Sequence, residues 1–431
     1  MTTRIYIISD GIVNGMEYIT GIITIQAIFS LYWSAYCCWY EGVIRAAVIE
    51  NVQKILTCRT FQLGYHLYKC PSPHCSNIRL IPHSCKSRFC SSCGKIATDR
   101  WTEERLSDIL AVGYHHLVFT LPWQLRALCL LNRQIMFQLL FLSASESIQS
   151  WTKKYGGYIP GIYIVLHTFG SDIKFNPHFH VIITAGGLSL DHVRWINAPN
   201  DFLMPEAGLK KRWRHNVISR IIKANEKGLL EMPFLAKKGE YLNLRGVISV
   251  IAKLCWYINI GERLLEIGLS VKYIGRYTKR PVIAEARIIY CDKRWIVFRF
   301  KDYAEGGKIS PKKMGTFTFI TYLTQHIPDK NFRIVRGYGI FSNRLKGELL
   351  PKARILLSQP AQQEKLPQKS WRERKLESTG KDPIICESCS IEMILIYVCY
   401  EPTDDILLSK LGLTINDRIP SMQLKVKLDT S

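Results

Sequence analysis

Acidic side chains are scarce in this chain. Its 431 residues include 35 Asp and Glu against 58 Lys and Arg, a formal charge of +23. An imbalance of that size leaves a surface suited to a polyanion, with DNA or RNA the common case. The basic residues are spread along the chain, which argues against a membrane surface as the partner. There is no G-x-x-x-x-G-K-[ST] loop anywhere in the sequence, which excludes P-loop ATP chemistry. No basic segment followed by an apolar stretch and a small-residue cleavage site opens the chain, so no secretory signal is expected and a cytoplasmic, nucleoid-associated location is. Long apolar runs are also scarce. One uncharged stretch, Gly21 to Tyr40, is long enough to span a bilayer but carries Gln26, Ser30 and Ser34 with several aromatics. A buried or interfacial helix is the better expectation there, with no membrane partner. Internal repeats and low-complexity tracts are missing too.

What is present divides the chain into four segments. Residues 1–57 are apolar and expected to be helical, ending in the periodic set Val43, Ala46, Ala47, Ile49, Val52 and Ile55. Residues 58–100 are cysteine-rich and broken by Pro71, Pro73, Pro82 and Gly94, the pattern of a module held by metal rather than by a core. Residues 101–344 mix strands with helices. The strands are His116–Leu121, Ile162–His167, His178–Thr184 and the pair Arg287–Cys291/Trp295–Phe300, which suggests a hairpin around Asp292-Lys293. Helical patterns cover Leu125–Trp151, Leu209–Ala224 and a stretch leading into Tyr273–Arg280. The implied class is α+β, a central antiparallel sheet flanked by helices and preceded by a small Cys-rich module. Residues 345–431 read as a basic linker and a tail with an isolated Cys386-x-x-Cys389.

Fourteen cysteines in a Lys-rich chain are too locally clustered for a secreted disulfide framework. Cys70-x4-Cys75 and Cys90-x2-Cys93 form two knuckles able to supply the four thiolates of tetrahedral zinc, with Cys85 an alternative ligand. Cys58, His66, His74 and His83 lie close by, so a second site is conceivable. Four sulfur ligands leave no coordination position for substrate, and Lys69, Arg79, Lys86 and Arg88 make the module basic. Its expected task is DNA engagement rather than chemistry. Cys129, Cys255 and Cys291 sit in apolar contexts, as core cysteines do. For Cys386 and Cys389, zinc and its absence are equally compatible with the sequence.

His178-Phe179-His180 follows Pro177 on an expected strand. Residues two apart project to one face, so both imidazoles converge while Phe179 enters the core behind them. Such a pair can hold a divalent ion with positions left open, although histidine pairs also occur on strands that bind nothing. Tyr273 and Tyr277, four apart, share a helix face among Lys272, Arg276, Lys279 and Arg280. A phenol with a pKa near ~10 needs cations or metal to attack as tyrosinate; a packed aromatic stripe has the same spacing. Lys210, Lys211 and Arg212 begin a basic helix that suits DNA backbone contact or simply a solvated face.

Several motifs occur in a fixed order: Cys58-Arg-Thr, Ser84-Cys-Lys-Ser-Arg, Cys90-x-x-Cys93, His116-Leu-Val-Phe-Thr-Leu-Pro, Val165-Leu-His-Thr-Phe-Gly, Asn176-Pro-His-Phe-His, Tyr273-Ile-Gly-Arg-Tyr-Thr-Lys-Arg, and Phe332 to Arg344 with Arg336. From about Cys58 to Arg344 the chain resembles the transposases of the insertion-sequence-ninety-one family, rolling-circle enzymes of the HUH superfamily with an N-terminal zinc-binding module. The resemblance implies that His178 and His180 hold Mg2+ or Mn2+ against a scissile phosphate. It implies that Tyr273 and Tyr277 are the nucleophiles, one of them forming a 5′-phosphotyrosine in single-stranded DNA at transposon ends and target sites. Arg276 and Lys279 are then candidates for phosphate contacts, and zinc (Zn2+) is structural.

The chain departs from the family pattern at Asn176, where histidine is common, at the lengthened first knuckle, and at Phe89. The third ligand of the catalytic metal is left open, with His167 and Asn176 the nearest residues. Two other readings share these features: a plasmid replication initiator or relaxase, and an inactive remnant acting as a zinc-dependent DNA-binding protein.

Overall fold

The computed structural model describes the chain apart from residues 1–10, 14–15, 19–22, 88, 200–203, 236–238, 255, 265–281, 363–366, 401–407, 410, 412, 417–421 and 426–431. The stretch carrying Tyr273, Arg276, Tyr277 and Lys279 therefore lies outside the described residues, as does Cys255.

Two helices follow a short hairpin, Gly11–Val13 with Met16–Tyr18. Helix α1 (Ile25–Trp39) starts where the Thr24 side chain accepts from the Ala27 N–H, satisfying one of the free first-turn donors. Its buried residues Ile25, Ile28, Phe29, Tyr32, Trp33 and Tyr36 recur at helical spacing, and α2 (Ala46–Leu56) buries Val48, Val52 and Ile55 in the same way. Both faces pack into one core with Ile296, Phe298, Phe319, Ile320 and Leu323 from later in the chain. From Ile23 onward the uncharged stretch therefore turns its apolar face into this core and leaves Ser30, Ser34 and Trp39 exposed. No helix among the described residues is long and apolar enough to cross a membrane.

Strands β1 (Tyr65–Lys69) and β2 (Asn77–Pro82) then form an antiparallel hairpin, followed by α3 (Ser91–Leu106). The central sheet draws on β3 (Tyr114–Thr120), β4 (Tyr158–Phe169), β5 (Phe175–Ser189), β6 (Ile258–Leu264) and β10 (Val335–Gly339), in the order β6-β3-β5-β4-β10, every pair antiparallel. A short strand, Trp195–Asn197, adds to the far end of β5. Helices α4 (Arg133–Trp151) and α5 (Glu206–Glu226) cover one face. Phe141, Leu140 and Ala144 of α4 and Trp213, Val217 and Ile221 of α5 meet Phe119, Phe179, Val181 and Ile183 there. The expected helix Leu125–Trp151 is broken at Asn132. The Asn132 amide turns aside to donate to the carbonyls of Leu128 and Glu231, leaving a short helix, Arg126–Leu131, ahead of α4.

Strands β7 (Ile288–Cys291), β8 (Trp295–Asp302) and β9 (Lys308–Gly315) make a second antiparallel sheet under α6 (Thr316–Thr324). The β7–β8 turn is the hairpin expected from the sequence. The Asp292 carboxylate accepts from the N–H groups of Arg294 at 2.7 Å and Trp295 at 2.6 Å, the local bonding that favours Asp in turns. The opposite face of the central sheet is covered by α7 (Lys346–Leu356), whose Leu349, Leu350 and Ala353 pack with Ile182, Tyr163 and Val165.

Helix α8 (Trp371–Thr379) opens with a capping box between Ser370 and Glu373. Beyond it the tail returns to the start of the chain. Strand β11 (Ile394–Cys399) pairs with β1 and β12 (Met422–Lys425) with β2, giving a four-stranded sheet in the order β11-β1-β2-β12. The tail thus forms both edges of the sheet whose middle belongs to the Cys-rich module.

Candidate metal centres

On β5 the alternation of side chains sends Phe179 inward, 1% exposed, against Phe141 (ring centroids 4.8 Å apart) and Trp213. His178 and His180 project together from the other face, their rings 5.1 Å apart. Register supplies a third ring. His167 on β4 is the direct partner of His178, and its ring lies 4.7 Å from that of His180. One ligand nitrogen from each of His167, His178 and His180 falls within 4.8 Å of the other two. Of the two residues left open in the sequence, His167 is the one that joins His178 and His180. The Asn176 side-chain oxygen is engaged elsewhere, accepting from Arg126 at 2.7 Å.

Hydrogen bonds aim these rings. The Nδ1–H of His178 donates to the Asn176 carbonyl at 2.8 Å, which leaves its Nε2 lone pair free to bind a cation. His180 Nδ1 shares a hydrogen bond with Nε2 of His116 at 3.0 Å, and the two rings stack 5.2 Å apart, 11° from parallel. His116 stands on β3 opposite Ile182, two residues along β5 from His180. Sequence reasoning gave it no role; the signal that could have found it is β3–β5 pairing, which places every second residue of both strands on one face.

Burial favours the neutral form of His116, His178 and His180. It depresses His178, pushes His116 down to about 4, and with the neighbouring imidazoles His167, His178 and His116 holds His180 far below the ordinary histidine range. Neutral imidazoles are the form that binds metal. Three nitrogen donors without a carboxylate suit Mn2+ better than Mg2+, which prefers oxygen.

The cysteines form two further clusters. Cys58, Cys85, Cys90 and Cys93 converge, with Sγ separations of 3.6 Å (Cys58–Cys93), 3.7 Å (Cys85–Cys93) and 3.6 Å (Cys58–Cys90). A Zn–S bond of about 2.3 Å puts tetrahedral sulfurs about 3.8 Å apart, whereas a disulfide would need about 2.05 Å. Hydrogen bonds with Cys85 and Cys90 hold the Cys58 thiol down to about 7. Cys70 and Cys75 stand instead with Cys386 and Cys389 from the tail. The set Cys70, Cys75, Cys90 and Cys93 drawn from spacing is thus divided between two clusters, and Cys85, the alternative, belongs with Cys90 and Cys93. Hairpin geometry is the reason. Cys58 and Cys85 flank the base of the β1–β2 hairpin and Cys70 and Cys75 flank its tip, roughly 15 Å away at 3.3–3.4 Å per residue. Cys129 and Cys291 are buried in apolar cores, as expected.

Of the basic residues on α5, Lys210 pairs with Glu206 and Arg212 donates to the Ser150 hydroxyl at 2.6 Å, while Lys211 is exposed.

Two family models match the chain. One, described as "Transposase zinc-binding domain", covers residues 28–121, and the other, described as "Putative transposase", covers residues 161–348. The "Transposase for insertion sequence element IS801" of Pseudomonas savastanoi pv. phaseolicola is 30% identical over 364 residues, covering 83% of this chain and 86% of that protein. The chain belongs to the insertion-sequence-ninety-one family of transposases. A second relative of this transposase, "Putative transposase y4qJ" of Sinorhizobium fredii, is 29% identical over 367 residues, covering 84% of the chain and 92% of that protein. No solved structure is significantly similar. The zinc-binding match contains the whole of the Cys58, Cys85, Cys90 and Cys93 cluster, whose sulfur spacing fits structural Zn2+. The putative-transposase match contains His167, His178 and His180.

Proposed function

We propose that the transposase nicks and rejoins single-stranded DNA at transposon ends and target sites through a 5′-phosphotyrosine intermediate, with the histidine face as its divalent-metal site. The observation that carries this reading is the convergence of His167, His178 and His180 on one face of the central sheet, with His178 held in the tautomer that frees Nε2. A Mn2+ or Mg2+ ion bound by these three rings would coordinate a phosphate oxygen and offset the charge that builds on phosphorus. The hydroxyl oxygen of Tyr273 or Tyr277 forms the new bond to phosphorus as the P–O3′ bond breaks. The phenol proton is lost and the departing 3′ oxygen is protonated. The phosphodiester energy is kept in the tyrosyl ester, so the 3′-hydroxyl of another strand can reverse the step without ATP. Arg276 and Lys279 are assigned to phosphate oxygens, and exposed Lys211, with Lys210 and Arg212 beside it, to the DNA backbone.

Labelled single-stranded oligonucleotides carrying an element end, incubated with Mn2+ or Mg2+, test the reading. A covalent protein–DNA adduct should form, vanish in the Tyr273→Phe/Tyr277→Phe chain and vanish in His178→Ala. DNA binding with no adduct under any divalent ion would sink it in favour of a zinc-dependent DNA-binding protein.

A further inference from the structure

The tail pair Cys386 and Cys389 lies outside both family matches, and Cys70 and Cys75 are not needed for the first zinc cluster. These four sulfurs nevertheless lie within 4.8 Å of one another, and Cys75 and Cys386 are 3.8 Å apart, the separation tetrahedral zinc imposes. Cys70 and Cys386 are 1% and 0% exposed. We propose that Cys70, Cys75, Cys386 and Cys389 bind a second structural zinc ion, which clasps the C-terminal tail to the N-terminal module.

Three features beyond the sulfur geometry support a metal. The first is a polar support of the kind found around metal ligands. Asn77, 2% exposed, donates from Nδ2 to Cys386 Sγ at 3.3 Å and to the Ser388 hydroxyl at 2.8 Å. An amide spent on a sulfur in the interior is well used only if that sulfur is a thiolate. The second is the backbone. Cys386 receives the Ser390 N–H on its carbonyl and gives its own N–H to Ile391, both at 2.9 Å, and Ser390 adopts φ 56°, so the Cys386-x-x-Cys389 turn is tightly closed. On the other side the Cys70 N–H donates to the Asn77 carbonyl and that of Cys75 to Ser72.

The third is how little apolar core the described residues place around these sulfurs. The buried group at this end of the sheet is Cys70, Cys386 and Met393, edged by Tyr68, Cys75 and Cys389. So little apolar surface cannot offset the ordering of two chain segments, and small modules of this kind depend on a staple. Here the staple closes a loop of 311 residues between Cys75 and Cys386, and strand β11 pairs with β1 immediately beyond it. A disulfide does not serve, since the Cys75 and Cys386 sulfurs stand 3.8 Å apart, against about 2.05 Å for an S–S bond. On binding, the thiols give up their protons to solvent and the ion takes up four thiolates.

The untagged full-length transposase, purified with its metals, tests this without reference to DNA cleavage. Zinc per chain should fall by one ion in Cys386→Ser/Cys389→Ser relative to the unaltered protein. In the unaltered protein, mass spectrometry after thiol alkylation should show Cys70, Cys75, Cys386 and Cys389 protected together and then reacting together once a chelator is added. Exposed Cys38 provides the unprotected reference. Retention of the full zinc content by the double variant, or alkylation of the four thiols at the Cys38 rate before chelation, would overturn the proposal. The labelling decides the matter even where the double variant does not fold.

Discussion

The histidine face and the cysteine clusters are both donor sets, and they are built in opposite ways. The histidines sit on neighbouring strands of one sheet, so the ladder of backbone hydrogen bonds fixes His167, His178 and His180 before any ion arrives. Behind them Phe179 anchors β5 in a large core with Trp213 and Phe141. The cysteines of the second cluster come from distant segments, Cys75 and Cys386 being 311 residues apart, and among the described residues the sheet they hold buries only a few apolar side chains, among them Phe61, Tyr65 and Leu80. In the first case the fold makes the site; in the second the ion makes the fold. A preorganised but open donor set suits chemistry, and a closed set of four thiolates suits structure.

The largest expected effect separates the two directly. Cys90→Ser/Cys93→Ser should unfold the N-terminal module, because structural zinc contributes on the order of 10 kcal/mol to such units. Loss of zinc, at least one ion per chain, and of near-ultraviolet circular dichroism would register it, and an intact spectrum would refute the idea that the ion makes this part of the fold. His180→Ala should do the reverse. Its thermal unfolding and zinc content should change little, while adduct formation slows by at least roughly 100-fold, since a bound cation supplies several kcal/mol to such transition states.

A smaller effect is expected one ring further out. His116 touches His180 and lies outside the three-ring set, so His116→Ala should weaken Mn2+ binding about 10- to 100-fold, as loss of an outer hydrogen bond typically does. His116→Gln, which can still bond His180, should recover part of that, measured by calorimetric titration.

A separate effect, unrelated to metal, concerns acid. His326 is buried between Thr168 and the Ile173 carbonyl, and burial pushes it down to about 4. The unfolded chain takes up a proton near ~6.5 that the folded chain refuses. Stability conferred by this group is therefore complete above about pH 6.5 and declines as pH falls towards about 4, by up to about 1.4 kcal/mol per pH unit. Urea unfolding across that window should show a shallower slope for His326→Gln than for the unaltered chain. An identical slope would show that His326 is not a source of the acid sensitivity.

How much of this was legible in the sequence follows from the same contrast. The pairing of His178 with His180 and the inward turn of Phe179 needed only the two-residue period of a strand. The hairpin at Asp292 and helices α4 and α5 needed only turn chemistry and apolar periodicity. His167 and His116 depend on which strands are neighbours and in what register, which no local pattern specifies. The cysteine sets were legible as metal donors but not as groups. Closeness in sequence favoured Cys70 and Cys75 beside Cys90 and Cys93, whereas the hairpin of Tyr65–Lys69 with Asn77–Pro82 carries them to opposite ends. The partner of Cys386 and Cys389 was invisible for the same reason, because the tail strands find the module only in the folded chain.

Pulsed electron paramagnetic resonance of Mn2+ bound to the full-length transposase bears most directly on the histidine face as a metal site. Couplings to imidazole nitrogens, lost in His180→Ala with zinc unchanged, are the predicted result. A Mn2+ signal surrounded by oxygen alone in the unaltered protein would contradict it.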